Sequence, residues 1–171
     1  GDHPNGTSRV FEAFKKIKND NVDLIINLQA DLPNIKPSSI SKLEKLMRES
    51  NSPIGTLASK LTKDEINDEN VVKVELETDL KEDSFLKAKN FFRIKKDLKN
   101  EKIYHHVGIY CFQSSQLKKY VELGESRQEK ILKLEQIRLM GKIEIKVGYC
   151  DSNPLSIDTL EDLKRIEKEM S

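Results

Sequence analysis

The sequence predicts an α/β domain, built from βα units around an antiparallel meander, and three observations carry that prediction. Apolar runs of strand length, at residues 22–29, 53–61 and 143–147, alternate with stretches whose apolar residues recur at helical spacing, at 37–47, 129–140 and 159–170. The run at 22–29 (Val22, Leu24, Ile25, Ile26, Leu28) stops abruptly on Gln29-Ala30-Asp31-Leu32-Pro33. It therefore reads as a central strand with Asp31 just past its carboxyl end, where open α/β sheets place their ligands. Between the helical stretches, residues 71–76 and 85–92 read as two antiparallel strands, and residues 103–112 as a strand returning to the main sheet.

Each element has a local reason. Thr7 or Ser8 is positioned as the N-cap of a first helix bearing Val10, Phe11, Phe14 and Ile17. Pro33 cannot donate to a sheet ladder, so the backbone leaves the sheet there. Pro37-Ser38-Ser39 opens a second helix with Ile40, Leu43, Leu46 and Met47 on its apolar face. Ile54, Leu57 and Leu61 mark the next strand. The polar stretch 78–83 joins the two meander strands, and residues 95–101 form a charged loop. A short helix covers 117–121, and a stronger one over 129–140 (Ile131, Leu134, Ile137, Leu139) is stopped by Gly141. A terminal helix over 159–170 is capped by Asp158 or Thr159.

Composition excludes several functional classes. At 171 residues the chain suits a single domain, with 71–112 as a meander subdomain within it. Thirty basic and 29 acidic residues leave a formal charge of +1, which creates no field to gather nucleic acid or an anionic membrane surface. No apolar run approaches the roughly 18 residues of a membrane span, and no basic-then-apolar leader opens the chain. A small-molecule partner is expected. Cys111 and Cys150 each sit in an apolar stretch, which suits buried thiols in a reducing cytoplasm. The chain opens without methionine and without a leading strand, so the expectation is a truncated α/β domain.

Several residues are of the right type for chemistry. Asp31 either holds a hard cation against phosphate oxygens or caps the turn before the helix at 37. Asp158 precedes a helix with an acidic first turn, and capping does not preclude metal binding. His106 shares strand parity with Tyr104 and Tyr110, so three polar-tipped rings either line a cleft or form a half-buried strand face. Gly108 between them permits close approach of a ligand or backbone. Of Glu135 and Gln136 at least one points inward and needs a polar partner, which a polyhydroxylated ligand supplies. Arg93 follows Phe91-Phe92 and is either a bidentate clamp for an anion or part of a basic edge with Lys95 and Lys96. No phosphate-binding glycine loop of Walker type, no zinc-spaced cysteines and no Gly-x-Ser-x-Gly elbow are present.

The order of these residues carries more than any one of them. Six blocks follow in sequence: Asp2-His3-Pro4-Asn5-Gly6-Thr7-Ser8-Arg9, then Asn27-Leu28-Gln29-Ala30-Asp31-Leu32-Pro33, then Asn70-Val71-Val72-Lys73-Val74. After them come Tyr104-His105-His106-Val107-Gly108-Ile109-Tyr110, then Leu134-Glu135-Gln136-Ile137-Arg138, and finally Ile157-Asp158-Thr159-Leu160-Glu161-Asp162-Leu163. Together they resemble the 3-deoxy-D-manno-octulosonate cytidylyltransferase (CMP-Kdo synthetase) family. The resemblance implies a mixed sheet of the nucleotide-diphospho-sugar transferase (Rossmann-like) type with its amino-terminal strands missing. It also implies transfer of CMP from CTP to Kdo, giving CMP-Kdo and pyrophosphate, with Mg2+ as cofactor. The corresponding context is lipopolysaccharide biosynthesis by a cytoplasmic enzyme that dimerises through 71–112.

By position, Asp31 and Asp158 match that family's magnesium ligands and are the expected catalytic pair. Gly6 and Thr7 fall in its cytosine-reading loop and Gln29 at the junction of nucleotide and sugar. Arg93, His106, Tyr110, Glu135 and Gln136 match its sugar-site residues. The family's amino-terminal Arg- and Lys-containing loop, which grips the triphosphate, has no counterpart here, so the 171-residue chain alone is expected to be inactive. Ala30 and Leu32 stand where the family usually has Gly and Glu, and Asn90-Phe91-Phe92-Arg93-Ile94 departs from its pattern around the arginine. These departures keep open a cytidylyltransferase for a related acidic sugar, sialic-acid-like or an 8-amino sugar. A non-catalytic sugar-binding or dimerisation module, or an unrelated structural protein, are the readings from other classes.

Overall fold

Six strands, β1 (Leu24–Asn27), β2 (Ile54–Lys60), β3 (Lys73–Leu76), β4 (Phe85–Phe92), β5 (Lys102–Gln113) and β6 (Ile145–Tyr149), form one mixed sheet in the order β1-β5-β2-β6-β4-β3. The computed structural model describes residues 3, 5–17, 21–94, 102–154, 156–157 and 160–170, without the side chains of 161, 162, 165, 169 and 170. The helices are α1 (Gly6–Ile17), α2 (Pro37–Ser50), α3 (Ser114–Glu122), α4 (Arg127–Leu132) and α5 (Leu160–Met170). Two 3-10 turns, Asp64–Asn67 and Glu135–Arg138, complete the described elements. β2 and β6 run parallel, whereas the other described pairs are antiparallel.

β5 organises the sheet. One of its edges pairs along the whole of β2, while the other pairs first with β3, through Lys102 to His105, and then with β1, through Tyr110 to Gln113. Because β3 also pairs β4, β4 pairs β6 and β6 pairs β2, the five strands from β2 to β6 close into a ring. The stretch 71–112 is thus woven into the main sheet. Between its contacts with β3 and β1, the β5 edge at 107–109 opens toward a cleft.

Opposite that opening β5 is bulged. Thr56 faces Tyr110 but Leu57 faces Val107, so two residues, Gly108 and Ile109, are looped out of register. The fully buried Thr56 side chain sits under the bulge, with its Oγ1 2.7 Å from the Ile109 carbonyl oxygen and 3.2 Å from that of Val107. A buried carbonyl left unpaired is costly, and this hydroxyl supplies the missing donor.

Both sheet faces are covered, so the strands read as near-continuous apolar runs rather than as alternation. On one face α2 buries Leu43 and Met47 against Leu57, Val107, Ile109, Cys111 and Cys150. On the other, α1 and α3 pack over Ile54, Val74, Phe91, Phe112, Leu117, Tyr120 and Val147. Cys111 and Cys150 are free, buried thiols as expected, and burial pushes that of Cys111 up to about 12.

The sequence expectations hold for α2, β2, β4, β5, α3 and α5 within a few residues, and four others are corrected. The apolar run at 22–29 gives a four-residue strand that, among the described residues, pairs β5 alone and so ends the described sheet, with Leu24, Ile25 and Ile26 only half-buried. The N-cap of α1 is Asn5, whose Oδ1 accepts the Ser8 N–H at 2.9 Å, so Thr7 lies inside the helix. Tyr104 does not join a row of cleft rings, since its hydroxyl accepts the Leu80 N–H at 2.8 Å.

The helix expected over 129–140 is broken. It ends at Lys133, in the left-handed region at φ 52°, and an extended Leu134 leads into the 3-10 turn. Leu134, Gln136 and Arg138 are all buried, a spacing of two that a single helix face does not provide. Ile131, expected to point inward, is 66% exposed. The expected cap of α5 at Asp158 or Thr159 lies outside the described residues.

Replacing Thr56 with valine keeps shape but removes the donor from the bulge. Denaturant unfolding is expected to show a loss of about 2 kcal/mol, the cost of buried groups left unpaired; an unchanged midpoint would mean that the hydroxyl does not support the bulge.

Candidate active site

The cleft, ≈ 1050 Å³ in volume, opens where the β5 edge lies between β3 and β1. Gly6, Gln29, Asp31 and Arg93 line it from α1, the loop after β1 and the end of β4. His106 and Tyr110 rise from β5, and Glu135 and Gln136 from the 3-10 turn. Thr7 lies fully buried behind this wall. Nine of the sequence-chosen residues therefore converge on one place, drawn from positions 6 to 136. The tenth, Asp158, lies outside the described residues.

The His106 ring meets the buried Phe91 ring edge-on and the Tyr110 ring at a tilt, with centroids 5.2 and 5.4 Å apart. His106 Nε2 is 3.0 Å from Thr56 Oγ1. With the Thr56 proton directed to the bulge carbonyls, the network assigns the histidine proton to Nε2 and leaves Nδ1 as an acceptor. Burial, aided by the neighbouring His105, holds the His106 imidazole down at about 3, so it is neutral at physiological pH.

The wall that carries Glu135 is a continuous hydrogen-bonded chain. Glu135 accepts the Thr7 hydroxyl at 2.9 Å and the Tyr120 hydroxyl at 3.5 Å, and Asn5 Nδ2 donates to the Tyr120 oxygen at 2.9 Å. Burial raises the Glu135 carboxyl, opposed by the bonds from Thr7. Tyr110 stands near this group, and burial together with Glu135 and Tyr120 raises its phenol well above the usual value. The Tyr110 hydroxyl is the one buried side-chain polar atom among the described residues without a hydrogen-bond partner. An orphaned hydroxyl beside a cleft is a group awaiting a ligand or water.

Behind the wall, Arg138 places Nε and Nη2 on the two oxygens of Glu129 at 2.8 and 2.6 Å, and its guanidinium lies 4.4 Å from the Tyr120 ring centroid. Glu129 also forms a reciprocal cap with Ser126 at the start of α4. At the other end of the cleft, His105 Nδ1 is 3.0 Å from Glu65, which also takes the Asn153 amide at 2.6 Å and the Thr62 N–H at 2.8 Å. Burial pushes the Glu65 carboxyl up, but the Thr62, His105 and Asn153 interactions outweigh it and lower the net value.

Arg93 is not presented as a bare clamp. One guanidinium nitrogen donates to the Glu69 and Asn70 carbonyls at 2.9 Å each, and the other reaches the Lys133 carbonyl at 3.5 Å, tying two loops across the cleft mouth. Asp31 is exposed on the turn after β1, and its carbonyl accepts the N–H of Ile157, the residue that precedes Asp158 in sequence, at 3.0 Å. Sequence reasoning missed Asn5, Asn27, Glu65, Glu129 and Arg138, whose partners are up to 124 positions away along the chain. His105 was visible only as the neighbour of His106.

A mixed α/β sheet with a deep polar cleft at a strand opening defines a small-molecule enzyme of the nucleotide-binding α/β class. The cytidylyltransferase family model matches residues 1–146. The 3-deoxy-manno-octulosonate cytidylyltransferase of Thermodesulfovibrio yellowstonii is 39% identical over 177 residues, spanning 97% of this chain and 69% of that protein. That of Brucella ovis is 36% identical over 168 residues, spanning 96% of this chain and 66% of that protein. Among solved structures, a CMP:2-keto-3-deoxy-manno-octonic acid synthetase complexed with CTP superposes with a TM-score of 0.84 at 31% identity, over 99% of this chain and 69% of that one. A UTP-bound UGPase from Acinetobacter baumannii, at 12% identity and a TM-score of 0.60 over 95% of this chain and 55% of its own, shares the fold. The chain belongs to the cytidylyltransferase family, among the 3-deoxy-manno-octulosonate cytidylyltransferases, and it spans about two thirds of the length of these relatives.

Two outcomes test the electrostatics. The unfolded chain takes up a proton at histidine near pH 6.5 while folded His106 resists it to about 3, so stability contributed by this group is complete above pH 6.5 and falls as pH drops through that window. Denaturation from pH 7.5 to 4.5 is expected to lose up to about 1.4 kcal/mol per pH unit more in the wild type than in His106→Gln; parallel curves would show that His106 protonates in the fold. Separately, Glu129→Gln leaves Arg138 buried without its counter-charge and is expected to cost about 3–5 kcal/mol in the same assay.

Proposed function

We propose that the protein containing this chain transfers CMP from CTP to Kdo, forming CMP-Kdo and pyrophosphate, and that this cleft is its sugar and nucleotide site. The observation that carries the proposal is the convergence of the residues matched to the family's substrate groups on one cleft, with the Tyr110 hydroxyl left unpaired among them. The named relatives and the CTP-bound solved structure support it.

The residue types suit the reaction. In-line attack of the sugar's anomeric hydroxyl on the α-phosphate depends mainly on positioning and on stabilising charge. Tyr110, His106, Glu135 and Gln136 offer polar groups for sugar hydroxyls, and Gln29 packs against Gly6, which with Thr7 falls in the loop proposed to read the nucleotide. Arg93 is tied to the 69–70 loop and, with Lys130 and Lys133 of the cleft lining, is a cation available to an acidic sugar.

The donor chemistry fits magnesium. Among the described residues no group of three or more His, Cys, Asp and Glu side chains is placed to hold a metal. Mg2+ needs fewer, because it binds through one or two carboxylates together with substrate phosphates and water. Asp31, exposed in the cleft lining and tied through its carbonyl to Ile157, and Asp158 are the residues proposed to hold it. When bound there the ion would neutralise phosphate charge and orient the α-phosphate. A cytoplasmic homodimer serving lipopolysaccharide synthesis completes the proposal; no helix among the described residues is long and apolar enough to cross a membrane.

Pyrophosphate release from CTP, measured on the full-length protein, is expected only when Kdo and magnesium are both present. Equal turnover with sialic-acid-like or 8-amino sugars would transfer the assignment to another acidic sugar, and no turnover with Kdo would end it. Asp31→Asn is expected to lower the rate about 100-fold or more at saturating CTP, the scale of lost charge stabilisation at a reacting phosphate.

A further inference from the structure

Both arms of the cleft meet on a side chain that touches neither substrate position in the reading above. Asn27, the last residue of β1, is 1% exposed. Its Oδ1 accepts an N–H of Gln29 at 3.1 Å, and its Nδ2 donates to Thr7 Oγ1 at 3.0 Å. Thr7, fully buried, donates in turn to Glu135 Oε1 at 2.9 Å.

The direction of every bond in this chain is fixed. A threonine hydroxyl carries one proton; with that proton on Glu135, Thr7 can only accept from Asn27. The Asn27 amide must then turn its nitrogen to Thr7 and its oxygen to Gln29, which commits one Gln29 N–H inward and leaves Gln29 Oε1 and the second N–H for the cleft. Gly6 closes the other side. A methyl group there would lie 2.9 Å from the Gln29 carboxamide carbon, so Gln29 could make room only by leaving Asn27.

We propose that Asn27 is a positioning residue for cytidylyl transfer, one carboxamide that sets the Gln29 amide and the Glu135 carboxyl as a single unit so that the two halves of the substrate are presented in register. This rests on the reading that Gln29 and Glu135 contact substrate. Aspartate at 27 keeps the shape and the acceptor toward Gln29 but cannot donate to Thr7, so it interrupts the chain at one identified bond. Alanine interrupts it at both.

The test is a double-mutant cycle in the full-length protein, read as kcat and KM for Kdo and CTP, with melting temperature as the check on folding. Asn27→Asp and Asn27→Ala are expected to lower kcat/KM about 10- to 100-fold, the scale of a buried polar group losing its partner. In a Gln29→Ala background the Asn27→Ala factor should shrink to about 2-fold or less, and Asn27→Asp should do the same in an Glu135→Ala background, because residues acting as a unit are not additive. A full Asn27 penalty in either background would overturn the proposal and leave Asn27 a structural residue. Wild-type kinetics in Asn27→Asp, with Gln29→Ala and Glu135→Ala impaired, would overturn it while the functional reading stands. Wild-type kinetics in both Gln29→Ala and Glu135→Ala would overturn the reading of the site itself, and this proposal with it. Should Asn27→Asp fail to fold, Asn27→Ser carries the same cycle.

Discussion

The cleft wall that carries Glu135 and Gln136 depends on one buried ion pair, Arg138 on Glu129. Nine residues separate them, and a continuous helix would set them about 13.5 Å apart along its axis at 1.5 Å per residue. They are instead bonded at 2.6 and 2.8 Å, so the chain has to turn back between them. The left-handed Lys133, the extended Leu134 and the 3-10 turn are how it does so. That reversal points Glu135 and Gln136 into the cleft while Leu134 and Leu139 enter the core. A buried charge without its partner costs several kcal/mol, so the reversal and the pair support each other. The same carboxylate caps α4 and is reached by Asn5, the cap of α1, at 3.5 Å, which places the starts of two helices against one charge.

The opposite wall is set by a different constraint, the bulge in β5. Looping out Gly108 and Ile109 leaves carbonyls inside the sheet, and Thr56 answers them from the neighbouring strand. Once its proton is spent there, Thr56 becomes an acceptor and fixes the tautomer of His106. The bulge therefore determines which nitrogen of a cleft histidine is available, although Thr56 itself does not lie in the cleft lining. Sheet irregularities next to binding sites re-aim side chains in this way.

Much of this was legible in the sequence, and the division is physical. Apolar period and turn residues set most elements, because each depends on neighbours a few positions away. The residues of the cleft were legible as ordered blocks, and Gln29, His106, Tyr110, Glu135 and Gln136 do gather there. What local pattern could not supply was any fact fixed by a distant partner. The apolar residues at 22–29 mark a strand but not which strand it pairs, which among the described residues is β5. The apolar spacing of 129–140 suits a helix, and only the pairing of positions 129 and 138 forbids it. Locally Thr7 or Ser8 reads as the cap of the first helix, whereas Asn5 caps it and Thr7 is engaged by Asn27 and Glu135.

The polar groups that result share a property that bears on what they can recognise. A sugar hydroxyl both donates and accepts, so a site selects its orientation only if its own groups have fixed polarity. Here the polarity is fixed from outside the cleft: Thr56 assigns His106, Asn27 assigns Gln29 and Thr7, and Thr7 with Tyr120 assigns Glu135. His106 is held neutral by burial, and Glu135 is shifted toward its neutral form for the same reason. A wall of pre-assigned donors and acceptors discriminates among hydroxyl arrangements by their orientation. Arg93 and the exposed Asp31 also line the cleft, and the Arg93 guanidinium is held by the Glu69 and Asn70 carbonyls.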